Sequence, residues 1–240
     1  MTRVLGIFQD KGGVGKSVTC RGLAEVVPGA PVIEIDSSPR LFELGKRVTF
    51  FQTRADREAI ELSGGAASRA EFDQVIDAIA SATLPTVIDV GANTGASLMT
   101  VIAGLREDFA AAGIEFGVLV VTTAEPGALA EVPKLLSVAA PWAAARFVIE
   151  NRVKGQVDPK LLLKIASGAT VSCLLNQVMD EKAAAIMQAG GLASIAKLDA
   201  KALHTKFGIA QGSRIRRDLT RVRLEVMQAV RPAAEWLIAK

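Results

Sequence analysis

Seven consecutive residues, Lys11-Gly12-Gly13-Val14-Gly15-Lys16-Ser17, bring together the parts needed to hold a polyphosphate. They follow an apolar run, Val4 to Phe8, that reads as a buried strand, and they open a stretch from Ser17 to Val27 that reads as a helix. Gly12, Gly13 and Gly15 let backbone N–H groups turn inward around phosphate oxygens. Val14 and Val18 complete the segment that would wrap the phosphates. The helix that follows aims its positive end at the same anion. Lys16 supplies a point charge between β- and γ-phosphates, and the Ser17 hydroxyl suits Mg²⁺ bridging phosphate oxygens. A flexible glycine turn beside a lysine is the plain alternative. The order strand, loop, helix and downstream acids argues against it.

Two acids and an amide recur at the ends of further apolar runs. Val32 to Asp36 and Thr86 to Val90 read as strands carrying Asp36 and Asp89, and Arg146 to Glu150 leads into Asn151. Phe116 to Val121 is another apolar strand. Between the strands, Glu71 to Ala82, Ser97 to Ala112 and Ala128 to Val138 have helical patterning, with Phe72, Val75, Ile76 and Ile79 on one face of the first. Alternating strands and helices predict an α/β fold with a mostly parallel central sheet flanked by helices. Its strands lack clean polar alternation, as in sheets covered on both faces. In such sheets ligands bind at the carboxyl ends of strands, where the glycine loop, Asp36, Asp89 and Asn151 all fall.

Lys11 is the feature that departs from the general phosphate loop. Asp10 stands where the general pattern has its first glycine, and a lysine follows, so two lysines bracket the glycines. This arrangement resembles the deviant Walker A loop of the ParA/MinD (SIMIBI-class) P-loop ATPases. The resemblance covers about the first 155 residues and fits the remainder loosely. It implies the P-loop NTPase fold, ATP and Mg²⁺ as ligands, and an ATP-dependent homodimer in which Lys11 reaches the partner's phosphates. It makes Lys11, Lys16 and Asp36 the catalytic set. Ser17, Asp89 and Asp36 would hold the metal, and Asn151 would recognise the adenine ring.

The family's second acidic motif, Asp-x-Asp-Pro-Gln, meets Glu34-Ile35-Asp36-Ser37-Ser38-Pro39-Arg40 in two registers. In one, Glu34 and Asp36 match the two acids and Asp36 orients water or helps hold the magnesium shell. In the other, Asp36 matches the first acid and Ser38 replaces the second, which predicts weak hydrolysis. Glu34 as a structural acid is equally open. Thr86-Val87-Ile88-Asp89 resembles the Walker B strand, although Val90-Gly91-Ala92-Asn93 replaces the family's usual continuation.

The composition excludes several other classes. Two distant cysteines, Cys20 and Cys173, form no disulfide framework or zinc signature, and both are expected in the core; the single histidine is His204. The amino terminus lacks a signal peptide's long apolar region, and no uninterrupted apolar stretch suggests a spanning helix, so a cytoplasmic protein is expected, free or nucleoid-associated. One domain is expected over 1–240, with a nucleotide core over 1–155 and a helical basic part over 156–240. There, Lys160 to Ala166 and Asp180 to Ala189 read as helices, Gly190-Gly191 as a break, and Ser213 to Lys240 as a long helix kinked near Pro232.

That last part carries an uneven charge. Residues 196–240 hold ten Lys/Arg against four Asp/Glu, whereas the rest holds 18 against 21. Arg214, Arg216, Arg217, Arg221 and Arg223 cluster within it. By resemblance this is a footprint for non-specific DNA, with a separate site-specific DNA-binding or adaptor protein as partner, in plasmid partition or conjugative transfer. A docking helix packed on the body is the plain alternative. A membrane-binding terminal helix of the MinD type, using Trp236, Leu237 and Ile238, is the third.

Overall fold

The computed structural model describes residues 1–53, 66–175 and 180–239. Seven strands form one sheet: β1 (Thr2–Phe8), β2 (Val32–Asp36), β3 (Val48–Gln52), β4 (Thr86–Val90), β5 (Ile114–Thr122), β6 (Ala145–Asn151) and β7 (Thr170–Leu174). Their order is β3-β2-β4-β1-β5-β6-β7, and every pairing is parallel. The strand that feeds the phosphate loop therefore lies at the centre, with β4 and β5 as neighbours.

The sheet is covered on both faces, which is why its strands read as continuous apolar runs. Along β1, Leu5 and Ile7 enter one core, and Val4 and Phe8 enter the other. The first core is closed by α1 (Lys16–Val26), α7 (Glu181–Ile195), α8 (Ala200–Phe207) and α9 (Ile209–Ile238). The second is closed by α2 (Ala66–Ala80), α3 (Gly95–Gly104), α4 (Arg106–Ala111), α5 (Pro126–Ala139) and α6 (Pro159–Ala166). Because Ile33, Ile35, Ile88 and Val90 serve the second core, pleat alternation turns Glu34, Asp36 and Asp89 toward α1.

Some expected boundaries shift for identifiable reasons. The helix expected over 97–112 is two helices, because Leu105 leaves helical geometry at φ −105°, ψ 14° after Gly104. Gly190-Gly191 is a kink rather than a chain break: Gly191 takes φ 60° while helix continues on both sides. Strands β3 and β7 go beyond the sequence expectation. Both are short edge strands with largely half-exposed residues, so neither gives a clean apolar run. Phe50 and Phe51 lie on β3, where Phe51 packs against the second core. Cys20 is buried as expected, but Cys173 on edge strand β7 is exposed.

The long carboxyl-terminal helix is part of the core, as the docking alternative holds. Its Ile215, Leu219, Val222, Val226, Val230 and Leu237 are buried in the first core beside α1. Gly22 of α1 permits this close contact, since a Cβ there would lie 2.5 Å from Val226 Cγ1. Trp236 covers Gly117 of β5, and Arg3 donates to the Trp236 carbonyl at 2.6 Å while its guanidinium stacks over the indole. Of the three terminal residues in the membrane alternative, Leu237 is buried, Trp236 is engaged with Gly117 and Arg3, and Ile238 is exposed. Among the described residues, no helix is long and apolar enough to cross a membrane.

Leu219→Ala should lower the melting temperature by about 5–15 °C, the usual effect of a large-to-small change in a packed core. A thermal melt followed by circular dichroism tests this, and an unchanged midpoint would show that α9 is peripheral.

Candidate nucleotide-binding site

Residues 12–18 curl over the carboxyl end of β1 and, with Asp36, Arg40, Val90 and Ala92, enclose a pocket of about 200 Å³. Gly13 and Gly15 occupy the left-handed region at φ 75° and 103°. Gly15 is doubly constrained, because a Cβ there would stand 2.5 Å from Asn151 Nδ2. Gly15 also precedes α1 as its N-cap and offers no capping side chain. The first N–H groups of α1 therefore lack a side-chain acceptor, the condition in which a helix end receives an anion.

Lys16 is 8% exposed, and its ammonium donates to the carbonyls of Gln9 at 2.6 Å and Lys11 at 3.3 Å. Burial pushes its pKa down, against the pull of Asp89, Asp10 and Asp36. Asp89 lies at the end of β4 and is 4% exposed. Burial raises its carboxyl to about 6, although the Ser17 hydroxyl bonds to it and Lys16 attracts it. Its Oδ1 has no hydrogen-bond partner among the described residues. An orphaned carboxylate oxygen beside a serine hydroxyl fits a divalent cation. No group of three or more His, Cys, Asp or Glu among the described residues could hold such an ion by itself. Phosphate oxygens and water would have to complete its shell, as is usual for magnesium.

The two strand-β2 acids separate in role. Glu34 is 2% exposed, and its Oε1 accepts the Arg40 N–H at 2.6 Å, so it fastens the loop after β2. Burial raises its pKa, opposed by that backbone bond and a second from Leu41. Asp36 lines the pocket instead. Its Oδ1 accepts from the Ser37 N–H at 2.7 Å, and its Oδ2 lies 3.0 Å from Arg40 Nε.

Asn151, 2% exposed, reaches the loop from β6 and donates to the Val14 carbonyl at 2.8 Å. Lys11 does not line its own loop's pocket. Its ammonium lies 3.7 Å from Glu125 Oε2, with the side chain 41% exposed. The arginine cluster divides. Arg223 is tied to Glu25 of α1, and Arg221 pairs along its own helix with Asp218 at 3.3 Å and Glu225 at 3.8 Å. Arg214, Arg216 and Arg217 are exposed, the latter two along an open groove of about 550 Å³.

Two supporting residues escape a reading of the sequence alone. Gln9 is fully buried and donates to the carbonyls of Val121 and Ala128, each at 3.1 Å, locking the start of the loop to β5 and α5. Asp10 accepts the Gly95 N–H at 2.8 Å and so ties the loop to the start of α3. A buried amide ending an apolar strand is the available signal for Gln9. Asp10 can be noticed only as the substitute for a glycine.

The architecture and loop define a P-loop NTPase fold with a seven-stranded, all-parallel sheet. MinD of Aquifex aeolicus has this fold, at 15% identity and a TM-score of 0.51, over 92% of this chain and 96% of that chain. Apo McdA of Cyanothece is similar at 14% identity and a TM-score of 0.48, over 92% of this chain and 99% of that one. Cobyrinic acid a,c-diamide synthase of Mycobacterium smegmatis, solved with an ATP analogue and magnesium, gives 17% and 0.44, over 87% and 97%. No protein-family profile and no curated protein matches the sequence.

The Asp89 charge costs stability in the nucleotide-free protein. Its carboxyl binds a proton more tightly folded than unfolded, so the penalty grows as pH rises from about 3.8 and is complete above about 6. Asp89→Asn should therefore raise the melting temperature at neutral pH by a few degrees, at about 2–4 °C per kcal/mol relieved. Calorimetry without nucleotide reads this, and a lowered midpoint would mean that the charge is already compensated.

Proposed function

We propose that this chain is a ParA/MinD-like ATPase switch that binds ATP with magnesium, dimerises on it, and positions or segregates DNA through slow hydrolysis. One observation carries the reading: an uncapped helix end, a buried lysine and an orphaned aspartate oxygen converge on one glycine loop.

Each residue then has a task. The loop N–H groups of residues 12–18 hold the phosphate oxygens, and Lys16 leaves the Gln9 and Lys11 carbonyls to neutralise the terminal phosphates. Ser17 and Asp89 would hold magnesium, which when bound neutralises charge on the β- and γ-phosphate oxygens. Asp36, on the pocket wall, orients the attacking water. As the water's oxygen bonds to the γ-phosphorus, the bond from that phosphorus to the β–γ bridging oxygen breaks; ADP leaves with the bridging oxygen and the water's protons pass to the inorganic phosphate and solvent. Lys11, outside its own pocket and half exposed, is available to a second copy's nucleotide. A base contact by Asn151 would require its amide to leave the Val14 carbonyl.

DNA is the favoured surface because Arg214, Arg216 and Arg217 stay exposed on a helix whose other face is consumed by the core. Arginine's planar fork suits phosphate. A separate site-specific DNA-binding or adaptor protein would supply the cargo's identity, and partition or conjugative transfer is the setting that this reading favours.

Binding to non-specific duplex DNA, measured with ATP–Mg²⁺, with ADP and without nucleotide across a salt series, tests this output. The expected result is ATP-dependent binding that weakens steeply with salt. Replacing Arg214, Arg216 and Arg217 together by alanine should reduce the salt slope by about 0.9 for each DNA phosphate that these arginines neutralise. No binding in any state would remove DNA and leave the arginine groove as a protein-docking surface.

A further inference from the structure

We propose that Arg40 is a nucleotide-state sensor that exchanges Asp36 for the terminal phosphate of ATP, distinguishing ATP from ADP in cis. This rests on the nucleotide-binding reading above.

Arg40 lines the same pocket as the phosphate loop. Its backbone is pinned on both sides of the residue. The N–H donates to buried Glu34 at 2.6 Å, and the carbonyl accepts from Arg21 Nη2 at 2.8 Å. Arg21 is itself fixed by Glu43 at 2.5 Å. The root of the side chain is thus held while the guanidinium, on a side chain 57% exposed, contacts Asp36 through Nε at 3.0 Å.

That contact is the weaker of two the guanidinium could make. An ion pair whose guanidinium is more than half exposed is screened by water, whereas a phosphate carries more charge and matches the guanidinium fork with two oxygens. Lys16 lines the same pocket as Arg40. Two cations therefore converge on one small pocket, an arrangement that favours an anion between them. When a terminal phosphate arrives, the guanidinium turns to it and Asp36 Oδ2 is released. Asp36 then becomes free to hold water only when there is a γ-phosphate for that water to attack. ADP lacks this group and leaves the Asp36–Arg40 pair closed. The same residue thus reads the nucleotide and controls the acid.

The test titrates wild type, Arg40→Gln and Arg40→Lys with fluorescently labelled ATPγS and ADP, both with magnesium, by anisotropy. Arg40→Gln should lose about 10- to 100-fold in ATPγS affinity and hold ADP within about twofold of wild type. Arg40→Lys should recover part of the loss. Retained ADP binding also certifies that the variant is folded. Equal losses for both nucleotides, or no loss for ATPγS, would overturn the sensor while leaving the phosphate loop standing. Wild type that binds neither nucleotide would overturn the loop and the sensor together.

Discussion

The site is organised around two opposite charges buried a short distance apart without full compensation. Lys16 sits inside the loop against two carbonyls, and Asp89 keeps one oxygen with no partner among the described residues. Neither arrangement is what folding alone favours, since buried charge is costly unless paired and hydrogen-bonded. The rest of the structure holds this unfavourable state in place. Gln9 locks the loop to β5 and α5, Asp10 ties it to α3, and Asn151 bears on it from β6. In the proposed reading, a polyphosphate with a divalent cation would supply what both charges lack.

The first core provides the stiffness that such a site needs. α1 presents its N-terminus to the pocket and its body to the sheet, and α9 packs along it through Gly22. The Arg223–Glu25 pair and the Arg3–Trp236 contacts fix α9 at two points along its length. A helix held in this way has its apolar face spent. Its outward arginines, Arg214, Arg216 and Arg217, stay exposed.

The strand-loop-helix core is legible in the sequence because local chemistry dictates it. Glycines between an apolar run and a helix allow the left-handed turns that a phosphate loop needs, and β2 ends at Asp36 while Asp89 is the penultimate residue of β4, as the run lengths indicate. Edge strands β3 and β7 are hidden because half-exposed strands lack a continuous apolar signature. The roles of Glu34 and Asp36 are hidden for a different reason. Both point to the same face, and only the loop's return, which brings the Arg40 N–H onto Glu34, separates a fastening acid from a pocket acid. The arginine cluster divides on the same ground: sequence places charges on a helix, but a neighbouring element such as Glu25 decides which are neutralised.

All of this makes the loop an incomplete site that ATP–Mg²⁺ would finish. Scanning calorimetry of wild type and Lys16→Ala, with and without saturating ATP–Mg²⁺, tests that claim most directly. Wild type should gain about 3–4 kcal/mol at a hundred- to thousandfold excess of ligand over its Kd, seen as a raised melting temperature, and Lys16→Ala should gain almost nothing. A wild-type midpoint indifferent to ATP–Mg²⁺, or an equal rise in both proteins, would contradict it.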